Sequence, residues 1–132
     1  MKLFPPVSPS IARTHYKISL NQEIICAILH EDAVITVDIA KEMVKDGIEV
    51  SAGHKRIFVD ICKMHSIDGE SRRYLAAFET AKDIIGTAIL FDNYLHYLML
   101  SVFLKVDRPI YPTKIFTNEK KALLWLRELR ND

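Results

Sequence analysis

Residues 56–61 read RIFVDI and residues 84–91 read IIGTAILF, two short apolar runs in which polar positions do not alternate with apolar ones. Such runs are strands that need cover on both faces of their sheet. From Ile24 onward strand-like and helix-like patterns alternate, which means parallel strands joined by crossover helices. The expectation is therefore an α/β domain with helices packed on a mixed sheet.

The remaining elements follow from period and punctuation. Tyr16, Ile18 and Leu20 alternate with His15, Lys17 and Ser19, the mark of a strand covered on one face. A turn at Asn21 and Gln22 leads into Ile24–Leu29, apolar on both faces and hence the inner strand of a hairpin. Thr36 caps a helix with Asp38 in its first turn, Ile39, Ala40, Met43, Val44 and Ile48 on its buried face, and Gly53 beyond it. A second helix is predicted over 69–82, capped by Ser66 or Asp68, with Tyr74, Leu75, Phe78 and Ala81 inward. Gly86 and Ala88 mark the next strand as one that something packs against closely. A third helix spans 94–106. Pro109 and Pro112 frame a last strand over 111–116, and Thr117 or Asn118 caps a final helix that turns Ala122, Leu123, Trp125, Leu126 and Leu129 onto the sheet. The sum is an N-terminal hairpin followed by βα units, with five strands and about four helices, in a single domain over 12–132. Residues 1–11, with Pro5, Pro6 and Pro9, read as a flexible lead-in.

Composition narrows the function classes. A chain of 132 residues that is 49% hydrophobic supports one core, and a formal charge of +1 with no basic block provides no field for nucleic acid. No segment has the length needed to span a bilayer, and the N-terminus lacks the pattern of a signal peptide. Cys26 and Cys62 lie in apolar strand patterns as buried thiols, which suits the cytoplasm. The five histidines and two cysteines show no metal-ligand spacing, and the four glycines stand apart, so neither a metal nor a cofactor is expected.

Two stretches stand out as surfaces. The loop after the strand at 56–61 lies at the carboxyl end of a sheet strand, where open α/β sheets bind; His65, Ser66, Asp68, Gly69, Glu70 and Ser71 form the candidate partner-binding loop. His65 with Asp60, Asp68 and Glu70 is also the nearest thing to an acid–base group, although Asp68 reads better as a helix cap and Glu70 as a first-turn charge. No catalytic residue is assigned. In the helix at 94–106, ten of thirteen residues are apolar. One side of a sheet does not cover that much, so Tyr94, Leu95, Leu98, Met99, Val102 and Phe103 are the expected homodimer interface.

The pattern from Ala12 to Leu129 resembles the STAS fold of sulfate transporters and of the anti-sigma-factor antagonists of bacterial sporulation. In those antagonists an apolar-Asp-apolar strand end is followed by Asp-Ser-Ser-Gly-Leu, whose second serine is a regulatory phosphorylation site. Val59, Asp60, Ile61 and Asp68 keep that spacing, while Gly69 and Glu70 stand in the places of the serines. The end of the chain, from Ile115 and Phe116 through Trp125 and Leu126, is similar to that of small bacterial STAS-like proteins. The resemblance implies a non-enzymatic, cytoplasmic interaction or regulatory module without the usual phosphoacceptor. The alternatives are a carrier of a small apolar ligand or lipid and, further off, an enzyme using His65 and its neighbouring carboxylates. A closed apolar cavity between helix and sheet would favour the carrier.

Overall fold

A computed structural model describes residues 9–130. Strands β1 (Ser10–Ala12), β2 (Tyr16–Asn21) and β3 (Ile24–Leu29) run antiparallel. The β2–β3 turn falls on Gln22 and Glu23, one residue later than expected, because both adopt left-handed backbone (φ 50° and 70°) that matches the twist of a two-residue hairpin. A short β4 (Val34–Ile35) leads into α1 (Val37–Val50). Then come β5 (Arg56–Asp60), β6 (Ser66–Ile67), α2 (Gly69–Ala76), a 3-10 turn at Ala81–Asp83, β7 (Gly86–Leu90), α3 (Tyr94–Val102), β8 (Thr113–Phe116) and α4 (Glu119–Glu128).

The main sheet has the order β1-β2-β3-β5-β7-β8, with β3, β5, β7 and β8 parallel. Successive parallel strands are added in one direction, so crossovers of constant hand lay their helices on the same face. Residue alternation agrees. Ile25, Ala27, Ile57, Val59 and Ile89 pack with residues of α1, α2 and α3, whereas Ile24, Phe58, Ala88 and Leu90 pack with Ala122 and Leu126 of α4. Gly86 lets α4 close on the sheet: a Cβ there would collide with Leu129 and press on Trp125.

The architecture is the expected one, with six strands in the main sheet instead of five. The sixth is β1, in which Ser10 pairs with Ser19 and Ile11 with Ile18, so these two residues leave the expected lead-in for the domain. The rest of that lead-in, residues 1–8, lies outside the described residues. The second helix stops at Ala76, not Lys82. Its last carbonyls are taken from elsewhere in the chain, that of Leu75 by the Tyr111 hydroxyl (2.8 Å) and that of Ala76 by the Ile110 N–H (2.9 Å). The third helix widens after Val102 into a π turn, Phe103–Asp107, closed by the Arg108 N–H on the Phe103 carbonyl with Arg108 left-handed. That turn swings Phe103 into the core and aims Asp107 at Arg72, whose Nε lies 2.8 Å from Asp107 Oδ2.

The face of α1 also differs from expectation. Ile48 is 56% exposed, while Asp46 is wholly buried. Asp46 receives a two-pronged contact from Arg13 (Nε and NH2, 3.0 Å each) and the Tyr16 hydroxyl at 2.6 Å, which fastens α1 to the β1–β2 connection. The Arg13 hydrogen bond, more than any other contact, holds the Asp46 carboxyl below its ordinary range.

Candidate functional site

The carboxyl end of β5 opens into a loop stitched to the neighbouring β3–α1 connection. β6 pairs in parallel with β4, the His65 and Ser66 N–H groups both donate to the Ala33 carbonyl (2.8 and 3.2 Å), and the Asp32 N–H donates to the carbonyl of Lys63. Backbone bonding thus fixes the loop and leaves the side chains of His65 and Ser66 exposed. Asp68, not Ser66, caps α2: its Oδ1 accepts the Ser71 N–H at 2.7 Å and the Ser71 hydroxyl at 2.6 Å. Those two bonds, the hydroxyl first, hold the Asp68 carboxyl below its usual range. Glu70 projects to solvent in the first turn of α2, and the guanidinium of Arg73 lies beside Gly69.

Ser71 departs from the expected surface loop. It is 0% exposed, and its hydroxyl also reaches the Ile35 carbonyl at 3.2 Å, so it joins α2 to β4 from inside. Periodicity could have signalled this, because Ser71 lies three and four residues before Tyr74 and Leu75 on the inner face of the helix.

The acid–base group does not assemble. Asp60 Oδ1 accepts the Cys62 N–H (2.9 Å), Asp68 is committed to Ser71, and among the described residues no hydrogen bond joins His65 to Asp60, Asp68 or Glu70. Burial, helped by Asp60, pushes the Cys62 thiol up to about 12, far from a reactive thiolate. Cys26 is likewise a free thiol raised by burial. No cluster of potential metal ligands occurs among the described residues.

Helix α3 borders this loop. Asn93 caps it through Oδ1 on the His96 N–H (2.8 Å), and Asn93 Nδ2 lies 3.0 Å from His96 Nδ1. An amide nitrogen only donates, so Nδ1 accepts and Nε2 carries the proton that reaches the Met64 carbonyl at 2.9 Å. With its inner side pinned this way, the helix turns Tyr94 (70% exposed), Leu95 (76%), Tyr97, Leu98 and Val102 to solvent, and Val106 (71%) extends the stripe past the π turn. Of the six expected interface residues, Tyr94, Leu95, Leu98 and Val102 are exposed and Met99 is half-buried. Phe103 is the correction: the π turn rotates it into the core, where it packs with Leu100 and Ile89.

Beneath α1, α2 and α3 lies a feature the sequence only raised as a condition, an apolar cavity of about 170 Å³ against the sheet. Its floor includes Ile57, Val59, Ile61 and Ile89, and its walls include Met43, Leu75 and Met99. Gly47 and Ile48 of α1 and Phe78, Thr80 and Ile84 of the connection that follows α2 complete its lining.

Over residues 18–130 the chain matches the family model described as a domain of unknown function, DUF7793. The chain belongs to the DUF7793 family. No curated protein matches this DUF7793 chain. Among solved structures, it is similar to an uncharacterized protein of the DUF3478 family with a SpoIIAA-like fold from Shewanella loihica PV-4, at 15% identity and a TM-score of 0.59, covering 95% of this chain and 99% of that one. The likeness extends to the fold, which is SpoIIAA-like and so agrees with the STAS-like resemblance. No helix among the described residues is long and apolar enough to cross a membrane.

Proposed function

We propose that this DUF7793 protein is a non-enzymatic, cytoplasmic interaction module that pairs with a second copy through α3 and offers the loop after β5 to another protein. The exposed apolar stripe from Tyr94 to Val106 carries this reading. Fully burying one leucine is worth about 1.5–3 kcal/mol, so two leucines and two valines left in water are a standing drive to associate. Residues 94–102 contain no Asp, Glu, Lys or Arg, and a face whose one charge is Lys105 at its end has little sign to match against a foreign partner. A twofold copy of itself satisfies it, as in homodimer interfaces, which are more apolar than transient ones.

The loop has the opposite character. His65, Ser66 and Glu70 project from a backbone already bonded on its inner side, so docking there would cost little ordering. The commitment of Asp60 and Asp68 to backbone and cap bonds supports a binding role over a catalytic one. Dilution of ¹⁵N-labelled protein while amide shifts are followed tests the pairing. Changes centred on α3 and Val106 are expected; changes centred on the β1 or β8 edge would assign the contact elsewhere.

A further inference from the structure

The cavity under the helices is polarised along its length. Its interior is aliphatic, through Val59, Ile61, Leu75 and Met99. Its most exposed lining residue, Ile48, lies near the end of α1, and the half-buried His54, Lys55, Thr80 and Ile84 lie just before β5 and β7. The mouth therefore opens at the amino ends of these strands, opposite the loop that carries His65. Ser51, His54, Lys55 and Thr80 of the lining gather at this end, and Arg72, at the start of α2, is the polar exception at the other. Thr87, 4% exposed and paired with Ile57 in the sheet, carries the one buried side-chain oxygen among the described residues that has no hydrogen-bond partner. A buried hydroxyl left unpaired is costly, and Thr87 is one of the residues that line the cavity, with its oxygen covered in this rotamer.

Charge sharpens the choice of guest. No Asp or Glu lines the cavity; its charged lining residues are Lys55 and Arg72, and Arg72 is already paired with Asp107. Lys55 forms no ion pair among the described residues. Size limits the apolar part, since a dry cavity of about 150 Å³ is filled by one benzene ring. Gly47 faces the same space from the middle of α1, where glycine weakens a helix, and a side chain there would meet nothing within 4 Å.

We infer that this cavity binds a short-chain carboxylic acid, with its tail among Val59, Ile61, Leu75 and Met99 and its carboxylate directed toward the Lys55 ammonium near the mouth, where the Thr87 hydroxyl meets it by turning about its Cα–Cβ bond. The site goes beyond the pairing and docking surfaces described above and can be tested without them, in the Leu95→Glu variant as well as in the unaltered chain.

The test is titration of ¹⁵N-labelled protein with sodium hexanoate and, in parallel, with hexan-1-ol, which has the same tail and no charge. Hexanoate should saturably shift the amides of Gly47, Ile57 and Thr87 and bind roughly tenfold tighter than the alcohol, as a charge-assisted contact implies. Lys55→Met should erase that preference. Thr87→Val, which keeps the shape and removes the hydroxyl, should weaken hexanoate roughly fivefold, about one hydrogen bond. Gly47→Leu should fill the space and abolish binding of both probes while the urea midpoint is maintained. Equal affinity for acid and alcohol, hexanoate binding that survives Gly47→Leu, or no saturable shift at these amides would each overturn the proposal.

Discussion

His96 Nε2 lies 2.9 Å from the backbone carbonyl of Met64, so a buried imidazole on α3 holds the loop that follows β5. The two candidate surfaces are thereby one mechanical unit. His96→Ala removes the donor, leaves a buried carbonyl unpaired and opens a small void. It should cost about 2–3 kcal/mol in urea unfolding. A loss below about 0.5 kcal/mol would mean that the bond does not carry the junction.

Asp46 gives the fold an acid-sensitive joint. Its carboxyl sits below the ordinary value of 3.8 because Arg13 and Tyr16 hold the charged form. A depressed folded value contributes stability that is fully present above the unfolded value and lost as pH falls through the folded one. The urea midpoint should therefore fall on acidification below about pH 4, and Asp46→Asn should flatten that part of the decline. At neutral pH the same substitution should cost about 2 kcal/mol through its charge-assisted bonds. An identical acid limb in both proteins would dismiss this joint.

Ser71 stands one residue beyond the position of the phosphoacceptor in the resembled antagonists, yet it is sealed between Asp68 and the Ile35 carbonyl. Phosphate has no room there without opening α2 from β4. Ser71→Ala should lower stability by about 1–2 kcal/mol and leave docking at the loop unchanged, whereas Glu70→Lys should weaken docking and leave stability unchanged. Phosphate at Ser71 in protein from the native cell would contradict this division of roles.

Much of this structure was legible before any coordinates, and the failures share a cause. The parallel core, the Thr36 cap and the close approach at Gly86 are local or periodic facts, and short-range patterns carry them. The early end of α2, the π turn that buries Phe103 and the burial of Asp46 depend on partners far along the chain: Tyr111, Arg72 and Arg13. Neither periodicity nor propensity encodes such pairs. The cavity escaped for the same reason, since its lining is assembled from residues as far apart in the chain as Ile18 and Tyr111.

Gly86 supplies a packing test of the opposite face. Gly86→Ala forces a methyl group against Leu129 and Trp125, and overpacking of this kind should cost about 1–3 kcal/mol. Gly47→Ala, open to the cavity, should instead stabilise by about 0.5–1 kcal/mol. Thermal melts of the two variants should shift in opposite directions, and a common direction would mean that the helix layers are misplaced.

Pairing through α3 is the central claim, and light scattering on the purified chain at high micromolar concentration tests it most directly. The account predicts twice the chain mass of 15.2 kDa for the unaltered protein, and a single chain mass for Leu95→Glu with its circular dichroism unchanged. A 15.2 kDa particle for the unaltered chain at that concentration, or a dimer indifferent to Leu95→Glu, would contradict it.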